Sequence, residues 1–229
     1  MSNFLVIGHR GCAGVLAENT LVSVRAAVDS GCEMVEVDVW LCEGRLMVIH
    51  DETVDRTTDG VGKVDEFLLS DLRELDAGGG ERVPFLEEVL DICLGKCVVN
   101  VELKGPGTGK VLVNLLGDRD GVDSVVVSSF DWEMLREVRV LNEGVNIGVL
   151  VDKKELLGAA ISMAAKLDAV SVNPWVKFLT KEVCQEIKGA GYECYVFTVR
   201  IEEELNKVLD CEAGGCFVDD PGWVLEVLR

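Results

Sequence analysis

The chain has only two histidines, His9 and His50, and each stands at the end of a short apolar run. An unperturbed imidazole titrates near neutral pH, so two of them at one site can serve as general acid and general base. Glu36 and Asp38 are two residues apart in the run Met34–Val39, which puts both side chains on one face of a strand. Glu102 and Lys104 repeat that spacing in another run, and Arg10 follows His9 directly. Carboxylates among apolar neighbours are costly unless paired or metal-bound. Two readings stay open. Either Arg10 and Lys104 neutralise the acids in a structural cluster, or Glu36, Asp38 and Glu102 hold one divalent cation. All-oxygen ligation with no histidine to spare favours a hard ion, Mg2+ or Ca2+, over Zn2+. A cation, Arg10 and Lys104 converging would suit a phosphate oxygen whose charge grows in the transition state. A histidine on each side of phosphorus would suit a displacement.

These groups are far apart in the chain, so the fold must gather them. Strands are predicted at Phe4–Gly8, Met34–Val39, Val98–Leu103, Ser124–Ser128, Asn146–Val151, Ala169–Asn173, Cys194–Val199 and Gly215–Asp219. Helices are predicted over Thr20–Ser30, Trp132–Leu141, Lys154–Lys166, Lys181–Lys188, Glu202–Leu209 and Gly222–Leu228, with a weaker pattern at Gly109–Leu116. Asn19 is the expected cap of the first helix and Gly31 its left-handed end. Eight strands alternating with helices, apolar on both faces, predict an α/β fold: a (β/α)8 TIM barrel with a small insertion after strand 2. The active site of such a barrel lies at the carboxyl ends of its strands. The run Leu46–His50 is an exception, because six residues are too few for a parallel crossover. It must return antiparallel through Glu43-Gly44, and a turn centred near residue 44 would set His50 level with Asp38. Residues 51 to about 95 form the insertion, with a short helix near Asp71–Leu75, a turn at Gly78-Gly79-Gly80 and a helix after Pro84.

Composition narrows the partners. The chain has 229 residues, 48% of them hydrophobic, and no low-complexity linker, which suits one domain over residues 1–229. A net charge of −19 without a basic run argues against a nucleic-acid partner. No basic n-region or long apolar segment is visible, so a cytoplasmic protein without a stable membrane anchor is expected; oligomeric state is left open. Nine cysteines are scattered without a Cys-x-x-Cys pair, which points to small buried apolar residues rather than a zinc ribbon or thioredoxin-like site. An acidic protein repels anionic ligands at long range, so an anionic substrate requires a local reversal of the field.

The sequence resembles the glycerophosphodiester phosphodiesterase family over essentially the whole chain. The matching pieces are His9-Arg10-Gly11, Glu18-Asn19-Thr20, Glu36-Val37-Asp38-Val39, Val48-Ile49-His50-Asp51, Arg56-Thr57-Thr58 with Gly60 and Gly62, and Glu102-Leu103-Lys104. Weaker pieces are Ser128-Ser129-Phe130, Thr198-Val199 and the stretch from Gly215 to Asp219-Asp220-Pro221. The resemblance implies hydrolysis of a glycerophosphodiester to glycerol 3-phosphate and an alcohol such as choline, ethanolamine or glycerol. It implies His9 and His50 as the acid/base pair, Glu36, Asp38 and Glu102 as metal ligands, and Arg10 and Lys104 as phosphate-binding residues. It also implies attack by a glycerol hydroxyl to give a cyclic phosphate that water opens. Three positions depart from the family pattern. Ala17 replaces a proline. Phe197 and Arg200 replace a tryptophan and an asparagine, with Phe197 still able to wall the glycerol. Rival readings are a phospholipase D- or C-like enzyme acting on lysophospholipids and a non-catalytic phosphate-binding module. Phe130, Trp132 and Trp175 read as packing under loops, Arg56 as a builder of its turn, and Glu18 as either a partner of Arg10 or a helix-dipole acid.

Overall fold

The computed structural model describes residues 4–117 and 121–229. Parallel strands β1 (Leu5–His9), β2 (Met34–Cys42), β4 (Val98–Leu103), β5 (Val125–Ser129), β6 (Asn146–Val151), β7 (Ser171–Pro174), β8 (Tyr195–Val199) and β9 (Gly215–Val218) form the barrel wall. Their spatial order is β7-β6-β5-β4-β2-β1-β9-β8. Single parallel bridges, Ser171 to Glu193 and Trp175 to Phe197, bring β7 against β8 and nearly close the ring. Outside run the helices α1 (Leu21–Ser30), α3 (Leu86–Cys93), α4 (Thr108–Gly117), α5 (Trp132–Leu141), α6 (Leu157–Leu167), α7 (Lys181–Gly189), α8 (Glu202–Asp210) and α9 (Pro221–Val227). Each buries an apolar stripe on the barrel, as Val183, Cys184 and Ile187 do in α7. The TIM-barrel expectation is met. Most boundaries fall within one or two residues of those predicted, but the stretch from Lys154 splits into a 3₁₀ turn followed by α6. Among the described residues no helix is long and apolar enough to cross a membrane. All nine cysteines are free and all but Cys97 are buried.

Inward-facing side chains change character along the barrel axis. At the bottom Ile7, Met34, Val126 and Phe217 pack together with Leu5, Val98 and Tyr195. Above them Ser128 Oγ donates to Asn100 Oδ1 at 2.7 Å, and Ser171 and Asn173 are buried beside Gly148. A Cβ at Gly148 would come within 3.0 Å of both, so only glycine leaves room for that polar pair. The ionisable residues come last, at the carboxyl ends. Alternate residues of one strand, Val98, Asn100, Glu102 and Lys104, run through this whole series.

The insertion begins with a hairpin. Strand β3 (Arg45–Val48) pairs antiparallel with β2, and Cys42 faces Arg45. Glu43 and Gly44 both have positive φ, 45° and 78°, as a two-residue hairpin turn of the primed type demands. The turn is therefore centred between residues 43 and 44. It is Ile49, whose N–H donates to Asp38 O at 3.0 Å, that stands level with Asp38. The expected register was off by one residue. After β3 the chain forms a short helix α2 (Leu69–Leu72), slightly earlier than Asp71–Leu75, and buries Met47, Ile49, Val54, Val64, Leu72 and Val83 in a small core of its own.

Candidate active site

His9 is the last residue of β1, so strand alternation aims it along the same face as Ile7, over the barrel interior. The tight turn after it puts Arg10 in the left-handed region, φ 52°, and Gly11 at φ 82°. A Cβ on Gly11 would lie 2.5 Å from Ser23 in α1, so the turn is pressed directly on the helix. Strained backbone at a non-glycine residue persists only where the surroundings enforce it. Here the Arg10 N–H donates to Glu36 Oε2 at 3.0 Å and its guanidinium donates to Glu18 Oε1 at 2.8 Å.

Glu36, Asp38 and Glu102 offer carboxylate oxygens that all lie within 4.8 Å of one another. All three residues are buried, Asp38 completely. Burial, then the charges of Asp38 and Glu102, push the Glu36 carboxyl well above its ordinary range. Burial and the Asp38 charge push Glu102 up to about 7. Burial alone would raise Asp38 too, but Lys104, Arg10 and His50 outweigh it and hold its carboxyl low. Glu36 Oε1 and Asp38 Oδ1 are buried oxygens that accept no hydrogen bond among the described residues. Lys104 Nζ is 3.4 Å from Asp38 Oδ1 and donates instead to Glu102 Oε1 at 2.7 Å, while Arg10 Nε lies 3.3 Å from Asp38 Oδ2. Orphaned buried carboxylate oxygens are expensive, and a hard cation is the group that satisfies them. The donor set fits a divalent ion. Once fully ionised, as metal ligation would require, three carboxylates against Arg10 and Lys104 leave one net negative charge. A dication reverses it to one positive, which matches a singly charged phosphodiester.

Each histidine is held by a carboxylate and that carboxylate by an arginine. His9 Nδ1 lies 2.5 Å from Asp219 Oδ1, and Arg200 Nε donates to Asp219 Oδ2 at 2.6 Å. His50 Nδ1 lies 2.5 Å from Asp51 Oδ1, and Arg56 Nε donates to Asp51 Oδ2 at 2.6 Å. Burial would raise Asp219, but its contacts with His9 and Arg200 hold it below the usual range. Hydrogen bonds from Arg56 foremost, against a smaller effect of burial, hold Asp51 down at about 2. Both are therefore carboxylates at neutral pH and can only accept, so Nδ1 carries the proton and Nε2 is the free nitrogen of each neutral ring. Burial is the largest influence on both imidazoles and sets each below its ordinary value. Arg56 also reaches Glu18 with two bonds, at 3.0 and 2.8 Å, so Glu18 ties the His50 side to Arg10.

His9, His50, Glu36, Glu102, Arg10, Lys104 and Phe197 line one cavity of about 220 Å³, and Asp38 sits beneath it. The structure thus gathers every residue that the sequence singled out. Several neighbours were misjudged. Phe130 and Trp175 are in the cavity wall, with Phe130 edge-on to Phe197 at 5.4 Å, whereas Trp132 lies outside it. Asn19 does not cap α1. Thr20 does, accepting from Ser23 N, while Asn19 (φ 57°) turns inward and donates from Nδ2 to Asp38 Oδ2 at 2.9 Å. Trp40 Nε1 donates to His50 O at 3.0 Å and fixes the backbone past β3. Outer-layer partners of metal ligands are worth about 10–100-fold in affinity. Asn19→Ala is accordingly expected to weaken Mg2+ or Ca2+ binding by about that factor, measured by calorimetric titration, with the helix cap untouched.

A profile described as the glycerophosphoryl diester phosphodiesterase family matches residues 9–223. A glycerophosphodiester phosphodiesterase from Caldanaerobacter subterraneus subsp. tengcongensis is 33% identical, with 98% of each chain aligned. One from Bacillus subtilis is 31% identical over 95% of this chain and 84% of its own. Among solved structures, a phosphodiesterase from Oleispira antarctica in complex with the product sn-glycerol-3-phosphate superposes with a TM-score of 0.90, at 29% identity, covering 98% of this chain and 96% of that one. A match of this length on a barrel with this site places the chain in the glycerophosphoryl diester phosphodiesterase family.

Proposed function

We propose that this protein hydrolyses glycerophosphodiesters to glycerol 3-phosphate and an alcohol, using His9 and His50 as general acid and base beside one divalent cation, Mg2+ or Ca2+, held by Glu36, Asp38 and Glu102. The observation that carries this reading is the paired arrangement of the imidazoles. Each has Nδ1 fixed on a carboxylate and lines the cavity that contains Glu36, Glu102 and Lys104. Orienting carboxylates of this kind set the tautomer that leaves Nε2 to take or give a proton. The bound cation would supply electrophilic stabilisation of the phosphate oxygens. Arg10 and Lys104 add fixed positive charge in a site shielded from water, where it counts for more than at the surface. Phe197, with Phe130 against it, offers the apolar wall for the glycerol carbons. The cavity is smaller than the roughly 300–1,000 Å³ of drug-sized pockets, which suits a head group without acyl chains. The product bound to the Oleispira protein supports the same reaction here.

Phosphorus NMR of glycerophosphoglycerol and glycerophosphocholine, with and without Mg2+ or Ca2+, tests the proposal. Glycerol 3-phosphate should accumulate only with metal. A folded protein that releases none under either ion defeats the reading.

Metal binding should also be linked to protons. Glu102 titrates near 7 in the metal-free protein, so below that pH an incoming cation must displace its proton. Glu36 is raised as well, so apparent affinity is expected to fall by at least about tenfold per pH unit below 7. In the metal-free state the sign reverses for stability. A carboxyl whose folded pKa lies above its unfolded value favours folding at low pH. With Glu36 raised in the same direction, thermal stability should therefore decline as pH rises from about 4.5 through 7. Melting curves at pH 5, 6, 7 and 8 with chelator, and again with saturating metal, check both signs.

A further inference from the structure

The cavity wall nearest the β7–β8 seam is aromatic, made by Phe130, Trp175 and Phe197. Such faces attract ammonium groups, but a cation of the chain, Arg200, already stands at this end of the cavity. Lys177 Nζ sits 4.5 Å from the centroid of the Trp175 ring without lining the cavity. Arg200 lines the cavity with a side chain 56% exposed, so it stands at the rim. Its Nε is committed to Asp219, while its two Nη groups make no hydrogen bond among the described residues. Glu204 accepts from the backbone N–H of Arg200, at 2.8 Å, and not from the guanidinium. The free end of a guanidinium is a planar fork that fits a carboxylate or phosphate with two parallel bonds.

The scissile phosphate has its own partners in Arg10, Lys104 and the proposed cation, and glycerol is neutral. An anion that meets Arg200 must therefore belong to the other alcohol. Arg200 lines the same cavity as His9, so its guanidinium is within the space a bound diester would share. We propose that the site selects glycerophosphodiesters whose second alcohol is anionic, carrying a carboxylate or a further phosphate, and that Arg200 is the residue that reads it. A quaternary ammonium would instead meet a like charge. This inference rests on the hydrolytic reading above.

The test is kcat/KM for three esters: bis(glycerophospho)glycerol (anionic second alcohol), glycerophosphoglycerol (neutral) and glycerophosphocholine (cationic). The wild type should favour the first over the last by about tenfold at low salt, and the preference should shrink at high ionic strength. In Arg200→Gln the three values should converge to within about twofold, mainly through a higher KM for the anionic ester, on top of a common fall in kcat because Asp219 loses a partner. A common fall with the wild-type ratio intact would reduce Arg200 to a support for Asp219 and overturn the proposal. So would a wild type that prefers the choline ester or makes no distinction. If Arg200→Gln fails to fold, the wild-type ratio and its salt dependence decide the matter. Turnover of none of the three would remove the hydrolytic reading itself.

Discussion

Alanine in place of His9 or His50 should lower kcat by about 10²- to 10⁴-fold while metal affinity stays within about twofold of wild type. Neither imidazole belongs to the three-carboxylate group, so removing one takes away a proposed proton carrier and leaves the proposed ion's oxygens in place. Asp219 and Asp51 keep their arginine partners in these variants, so neither carboxylate is abandoned. Steady-state kinetics with calorimetric metal titration on the same samples separates the two effects. The double variant should be little worse than the poorer single one, because groups that act on one transition state are not additive. The pH dependence carries the same signature. Burial favours the neutral form of both rings, so the ascending limb of a kcat/KM profile should have its midpoint below 6.5. A rate unchanged between pH 5 and 9 would remove histidine from the chemistry.

The second large effect is expected at the carboxylates, and its sign differs between them. Glu36→Gln and Glu102→Gln should each weaken metal binding by more than about 100-fold and abolish most activity, since they remove proposed ligands and not merely their supports. Yet both acids are held in a buried site that disfavours their charged form. The metal-free variants should therefore be as stable as wild type at pH 8, or more so. Asp38→Asn should behave differently. Asp38 is the carboxylate that Lys104, Arg10 and Asn19 hold ionised, so its loss leaves those two cations with only Glu102 and Glu18 and should lower stability in the metal-free protein. Urea unfolding with chelator, set beside metal titrations, distinguishes the three. Unchanged metal affinity in all of them would dissolve the ligand set.

Much of this site was legible because the barrel is built from local repeats. Periodicity located the strands, and the two-residue spacing of Glu36 with Asp38 and of Glu102 with Lys104 put each pair on one face. The pairing partners of those residues were not legible for the same reason. His9 and Asp219 are 210 positions apart and meet only because β1 pairs with β9 when the sheet curls round. Asp219 was visible only as part of a weak motif, and nothing in its neighbourhood marked it as a support for an imidazole. Asn19 was misread because an asparagine before a helix is a good cap, and Thr20 is one too. Only the buried Asp38 across the barrel mouth decides between them. The hairpin register slipped by one because sequence does not tell a two-residue turn at Glu43-Gly44 from a longer one centred on Gly44. The aromatics Phe130 and Trp175 came from strand ends and carry no polar signature that separates a wall from a filler.

That hairpin has a bearing on how such a catalyst can diversify. Two proposed ion-holding side chains lie on its first arm, and a proposed proton carrier lies just past its second. Their spacing is thus governed by a hydrogen-bonded ladder and a two-residue reversal, with Asp51 and Arg56 close behind. Sequence drift or length change in residues 57–83, which line no part of the cavity and pack in a small core of their own, would leave that spacing alone. The reacting centre can thus stay fixed while the insertion behind it changes.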